Sequence, residues 1–291
     1  MLVLIGLFVV VLSVIGGFML AGGHVMALFH TSELIVICGT AFGTMLISTP
    51  SVVLKSLSAK MAGVVKGTVY TRVLYLDALK MMFELFQVAR RDGLVAIEAH
   101  IESPEKSAVF TKYPTVLHQH HAVTFLCDSL RLVMVGSVPP YDLEALMDNE
   151  IDVHHAQEAE AVSALTKVSD SLPAIGIVAA VLGIVITMAA LSGPVEEIGE
   201  KVGAALTGTF MGILLAYGFA APLAGKIESE NQSAGRFHQF IKASVVAFAK
   251  GFSPIVAVEF ARCAVYESER PTFAEMETAC KSVKAKPEGA K

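Results

Sequence analysis

Charge is what this sequence has least of: 17% of its 291 residues are Asp, Glu, Lys or Arg, where a soluble globular domain carries about 25%. The deficit is uneven. Four blocks, 2–21, 34–53, 172–191 and 202–223, hold none of the four, which argues against one large soluble core and for membrane-spanning segments. Cysteine is sparse as well. Cys38, Cys127, Cys263 and Cys280 lie far apart, with no CxxC or other metal-ligand spacing, so they read as free thiols facing a reducing compartment rather than as a disulfide framework. The net charge of −5 gives no reason to propose nucleic-acid binding. No Walker motif, nucleophile elbow, HExxH or dinucleotide fingerprint occurs, so nothing argues for an enzyme or a cofactor.

What is present is apolar length. A helix rising ~1.5 Å per residue needs about 20 residues to cross ~30 Å of hydrocarbon, and each charge-free block supplies them. The fold class expected is an all-α polytopic membrane protein, with four transmembrane helices and a helical cytoplasmic domain. The first block begins at Leu2 with no charged stretch ahead of it and ends in Ala21, Gly22 and Gly23. It lacks a clear small-x-small cleavage site and is too long for a signal peptide, so it reads as a span.

Orientation follows from Lys and Arg, which accumulate on the cytoplasmic side. Eleven of the 22 lie in 54–169, ten in 224–291, and only Lys201 elsewhere. The expected order is therefore a span at 1–21, a periplasmic loop at 22–33, a span at 34–53 and a cytoplasmic helical domain at 54–171. A span at 172–191, a periplasmic loop at 192–201, a span at 202–223 and cytoplasmic helices with a tail at 224–291 complete it. Both termini are placed in the cytoplasm, and the chain in a bacterial inner membrane.

Within the cytoplasmic part, Leu74, Leu79, Met82, Phe83, Leu85, Phe86 and Val88 fall mostly on one side of a helix between Tyr70 and Arg91. Asp92 and Gly93 stop it. A second helix is expected from Leu117 to about Val135, and Pro139-Pro140 breaks the chain. Tyr141 begins a long polar helix running into the third span. Helix continues past the fourth span to about Lys250, with Gly251 and Pro254 interrupting it. A last helix follows Pro271, and 286–291 reads as a disordered tail.

Several patterns inside the spans bear on chemistry. Gly39 and Gly43, and Gly208 and Gly212, form GxxxG pairs that let helix backbones approach, within one subunit or between two. In the third span Pro173, Ile177, Ala180, Ile184 and Thr187 share a face at 100° per residue. Pro173 either begins the transmembrane turn or acts as a hinge. Thr207 and Thr209 either back-bond to their own helix or assist an ion. Ion-coupled membrane proteins need an ionisable group at membrane depth, and no span has one. Either the chain conducts no ions, or a partner supplies the carboxylate. His118, His120 and His121 are clustered without fitting Asp, Glu or Cys, so no metal site is assigned; His154-His155 reads as a solvated face.

Three stretches then carry a family resemblance: 170–183 (DSLPAIGIVAAVLG); 208–219 (GTFMGILLAYGF) followed by Pro222, Leu223 and Ala224; and 258–262 (VEFAR) continued by 268–273 (SERPTF). Together with Gly16-Gly17, Gly22-Gly23 and 144–148 (EALMD), they resemble the MotA family of flagellar stator subunits along essentially the whole chain. The resemblance implies a pentameric homo-oligomeric ring around two single-span helices of a MotB-type partner. The partner's membrane aspartate would carry the ion, and the cytoplasmic domains would push the rotor protein FliG. It also implies that Arg90 and Glu98 form the charged rotor interface, with Arg91 beside Arg90. Pro173 and Pro222 would couple ion passage to torque, and Thr209 would lie near the ion path. Ala180 resembles the proton-using members, where sodium-using relatives carry threonine. The runner-up, an ExbB/TolQ-type energiser, has three spans and an external N-terminus. A secondary transporter would need its own intramembrane polar site and often an inverted repeat.

Overall fold

The computed structural model describes residues 2–64, 67–189 and 194–284. In chain order its helices are α1 (Leu2–Leu20), α2 (Thr31–Ser48), α3 (Ser51–Val64), α4 (Arg72–Asp92), α5 (Glu98–Glu102) and α6 (Pro114–Leu117). They are followed by α7 (His120–Val135), α8 (Pro140–Ala189), α9 (Val195–Leu214), a π-turn (Leu215–Ala220), α10 (Ala221–Ala249), α11 (Pro254–Cys263) and α12 (Phe273–Lys284). No strand occurs among the described residues. Four helical stretches are long and apolar enough to cross a membrane: Leu2–Leu20, Val25–Ser48, the apolar part of Pro140–Ala189 and the apolar part of Val195–Ala249. Part of the loop expected at 192–201, and all of the tail at 286–291, lie outside the described residues.

The chain divides into two compact units, residues 1–67 with 157–230 and residues 68–156 with 231–291. The first holds the apolar helices. Here α2 stops at Ser48 because Pro50 follows: Thr49 is extended (φ −126°, ψ 125°), as a residue before proline must be. The apolar run read as one span to Val53 is thus two helices. No residue of α1 is buried within the chain, although it is apolar on every side. One small core joins Ile37 and Ala41 to Leu172, Ile175, Ala179 and Ala216. Another joins Val53, Leu57 and Val64 to Ala161, Ala164, Leu165, Ala224 and Ile227, and Lys60 pairs with Glu158 beside it.

The second unit is built round α4, whose apolar face buries Leu74, Leu79, Met82, Leu85 and Phe86. The rings of Phe86 and Phe248 stack with centroids 4.3 Å apart, and Tyr75 meets Phe237 and Phe240 edge-on at 5.5 and 5.2 Å. Glycines end the helices as the sequence requires: Gly93 (φ 91°) closes α4 and Gly136 (φ 69°) closes α7, conformations that cost other residues a Cβ clash. At α12 a capping box forms. The N–H of Thr272 donates to Glu275 at 2.7 Å, and the Glu275 N–H donates to the Thr272 hydroxyl at 3.3 Å, reciprocally satisfying two orphan donors.

Candidate ion-path and rotor-facing sites

In the first unit, glycine and alanine set the seam between the apolar part of α8 and α9. A Cβ placed on Gly176 would lie 2.9 Å from the Gly208 carbonyl and 3.1 Å from Gly212 Cα. One on Gly212 would lie 2.6 Å from the Leu172 carbonyl. Farther along, Gly183 meets Ala205, and Gly208 meets Ala179 and Ala180. The two backbones touch over about two turns, which only residues with little or no side chain permit. The Gly208/Gly212 pair therefore packs within the chain, whereas nothing lies within 4 Å of a Cβ on Gly39 or Gly43.

Three of the expected residues come together on this seam. Pro173 is half-buried and lies inside the 50-residue α8, which begins at Pro140, so it does not begin a helix. Ala180 is 9% exposed and packs against Gly208. Thr209 is half-buried, with its Cα beside Gly176, and its hydroxyl makes no hydrogen bond to a described residue. Two other span threonines are engaged: Thr207 donates to Gly203 (3.0 Å) and leans toward the Ala27 carbonyl (3.4 Å), and Thr187 donates to Gly183 (2.8 Å). The predicted face of α8 is mixed, since Ile177 and Ile184 are exposed while Ala180 and Thr187 are buried.

Pro222 lies elsewhere. The antiparallel pairing of Leu172 with Gly212 and Ser169 with Ala216 puts Pro173 level with a point about ten residues before Pro222, an axial offset of roughly 15 Å. The two prolines are therefore not level along the paired helices. Pro222 is exposed and immediately follows the π-turn.

Sequence reasoning passed over two residues here. Glu33, in the first turn of α2, brings its Cγ to 3.5 Å from where a Cβ on Gly208 would be. It stands one position before the charge-free run, so a search for charges inside the runs misses it; a first-turn acid opening an apolar helix is the signal that finds it. Ser169 donates to the Ala216 carbonyl at 3.1 Å, and no sequence pattern marks it.

In the second unit, Arg90 occupies the last turn of α4 and Glu98 opens α5. Both are exposed. Arg90 Nη1 donates to the carbonyls of Gly251 and Phe252, each at 3.2 Å, tying α4 to the turn before α11. It lines a cavity of about 510 Å³ with Leu94, Val138, Pro139 and Phe248. Arg91 pairs with Asp92 at 2.7 Å, and that hydrogen bond holds the Asp92 carboxyl below its usual value. Glu98 has no ion-pair or hydrogen-bond partner among the described residues. His120 and His121 line a smaller cavity of about 380 Å³ with Glu150, His154 and His238. Burial, and then Asp128, raises the Glu150 carboxyl above its usual value. His154 is thus not on a solvated face. Among the described residues, no group of three or more His, Cys, Asp or Glu is arranged to hold a metal.

Four helical stretches apolar enough to cross a membrane, two of them packed along a small-residue seam, define a multi-pass helical membrane protein. Residues 118–236 match the MotA/TolQ/ExbB proton channel family, and residues 4–93 match the motility protein A N-terminal family. Motility protein A of Salmonella typhimurium and that of Escherichia coli are each 36% identical over 284 residues, covering 98% of this chain and 96% of theirs. Chemotaxis protein LafT of Vibrio parahaemolyticus is 32% identical over 273 residues, covering 94% of this chain and 96% of its own. Among solved structures, the fold resembles C. jejuni MotAB, with 21% identity, 91% and 95% coverage and a TM-score of 0.75. It also resembles the flagellar MotAB stator complex from Bacillus subtilis, with 21% identity, 88% and 92% coverage and a TM-score of 0.70. The chain belongs to the motility protein A family and is a multi-pass protein of the bacterial inner membrane.

Proposed function

We propose that this chain is the multi-pass stator subunit of a bacterial flagellar motor, completed by a single-span MotB-type partner to form a proton-conducting complex that turns ion flow into torque on the rotor protein FliG. The observation that carries the reading is the combination of proton-channel family membership with four apolar runs that hold no Asp, Glu, Lys, Arg or His. A proton cannot cross such helices by side-chain relay, so the titrating carboxylate belongs to the partner. This chain then supplies the wall of the path and the moving parts.

Other features support the same reading. A wholly unburied α1 needs lipid or further subunits around it, as a homo-oligomeric ring, pentameric by resemblance, would provide. The Thr209 hydroxyl, unengaged among the described residues, is available to an ion passing beside this chain, and Ala180 favours protons by the family pattern. Arg90 and Glu98, exposed in the unit rich in Lys and Arg, are placed at the rotor, with both termini in the cytoplasm. The match of 4–93 to the motility protein A N-terminal family favours this over an ExbB/TolQ-type energiser. The test is complementation: the chain with its MotB-type partner, expressed in a strain lacking its own stator, restores swimming. Persistent paralysis with both proteins in the membrane would refute the assignment.

A further inference from the structure

Residues Leu215–Ala220 form a π-helix between α9 and α10. A π-turn amounts to one extra residue inside an α-helix, and such turns gather at functional sites. Two features act on this one. Pro222 has no N–H, so the Gly218 carbonyl in the α register, or the Tyr217 carbonyl in the π register, receives nothing from position 222. Each register loses a bond at this proline, which narrows the gap between them. The Ala216 carbonyl, by contrast, has two donors: the Ala221 N–H, five residues on, and the Ser169 hydroxyl at 3.1 Å. Ser169 is 2% exposed. A helical serine commonly bonds back to its own helix; this one crosses from α8 to the neighbouring helix.

The surroundings make the turn the compliant point. Before it, Gly212 is pressed against the Leu172 carbonyl and Gly176, fixing the register of α9 against α8. After it, Pro222 is exposed. We propose that the 215–220 π-turn is where the fourth span changes register during the ion-coupled stroke, and that Ser169 is a positioning residue holding the π register through its hydrogen bond to Ala216. This rests on the stator reading above. Collapse of a one-residue bulge into regular α-helix turns the following segment by roughly 100° and shifts it about 1.5 Å. A charge change on the partner's carboxylate is thereby amplified by a two-register element, while the glycine seam stays still.

The experiment uses the full chain with its MotB-type partner in cells lacking their own stator, carrying no substitution, Ser169→Ala or Ser169→Thr. Bead rotation is recorded near zero load and near stall, and motor-bound complexes are counted by fluorescence. Near stall, torque reports work per ion and the number of complexes; near zero load, speed reports the internal cycle. Ser169→Ala should be recruited normally, keep its stall torque per complex and lose roughly five-fold in low-load speed, the factor one net hydrogen bond is worth. Ser169→Thr, which keeps the hydroxyl, should recover most of it. Unchanged low-load speed in Ser169→Ala would overturn the proposal, as would equal loss in both variants. So would stall torque falling only with the number of recruited complexes while low-load speed holds, the result of a purely packing role. If the unsubstituted chain drives no rotation, the stator reading fails and this proposal with it.

Discussion

Arg90 makes hydrogen bonds inside the fold as well as being proposed to face the rotor, and the two pull a charge-reversal experiment in different directions. Its exposure alone suggests that reversal costs the fold nothing, but its guanidinium donates to two carbonyls of the Gly251 turn. Arg90→Glu removes those donors and turns a carboxylate toward carbonyl oxygens. Arg90→Ala should cost about 1 kcal/mol, since the bonds are exposed, read as a drop in the thermal midpoint of the purified protein. Glu98→Lys, with no partner to lose, should stay within about ±0.5 kcal/mol. Glu98 is therefore the cleaner probe of the rotor. Glu98→Lys should impair swimming by bringing like charges together, with recovery when the facing charge on FliG is reversed; normal swimming would remove Glu98 from the interface. Tyr75 gives a pH signature in the same unit. Burial raises its phenol from 10.0 to about 12, so the stabilisation from keeping it neutral is full below pH 10 and is lost as pH climbs through 12. Tyr75→Phe should flatten the alkaline arm of a stability–pH curve, and an unchanged arm would assign that loss to other groups.

At the scale of elements, the two prolines are not equivalent. Pro173 interrupts hydrogen bonding within α8, level with the glycine seam, while Pro222 stands roughly 15 Å farther along beside the π-turn. Each removes a backbone donor and disfavours regular helix on its N-terminal side. Pro173→Ala and Pro222→Ala should assemble at normal levels and lose most of their torque, checked by motility at matched membrane content; normal speed in both would leave the prolines a structural role only. The GxxxG pairs separate in the same way. Gly212→Ala forces a Cβ to 2.6 Å from a backbone carbonyl and 2.8 Å from Gly176 Cα, an overpacking expected to cost about 1–3 kcal/mol and to lower the amount of folded chain in the membrane. Gly39→Ala meets none of the described residues within 4 Å, so a defect there would point to a contact with another subunit. Both GxxxG motifs were visible in the sequence, but which one is internal was not: spacing shows that a helix has a small-residue stripe, not what faces it.

Over the whole molecule, the four spans were legible because a bilayer imposes length and excludes charge, two properties a sequence displays directly. Helix boundaries at Gly93, Gly251 and Pro254 were legible for a related reason, since glycine and proline act through their own backbones. The Ser169 bond, the approach of Glu33 to Gly208 and the π-turn were not, because each depends on which residues of two distant helices become neighbours. The proposed rotor residues and the role proposed for Ala180 came from resemblance, as an exposed charge or a buried alanine says nothing of its partner. The same charge pattern yields the most consequential expectation. Moving a proton across hydrocarbon requires a titratable group or water held along the path. One acid beside the seam, Glu33, opens α2 before the charge-free run, and the seam between α8 and α9 is closed by contacts of about 3 Å between backbones and small residues. The chain reconstituted alone into vesicles with an imposed pH gradient should leak no faster than empty vesicles. With its MotB-type partner it should conduct, and replacing the partner's membrane carboxylate by its amide should return the flux to background. A specific proton flux through the lone chain would show that these helices carry the ion themselves, and would move the titrating group from the partner into this protein.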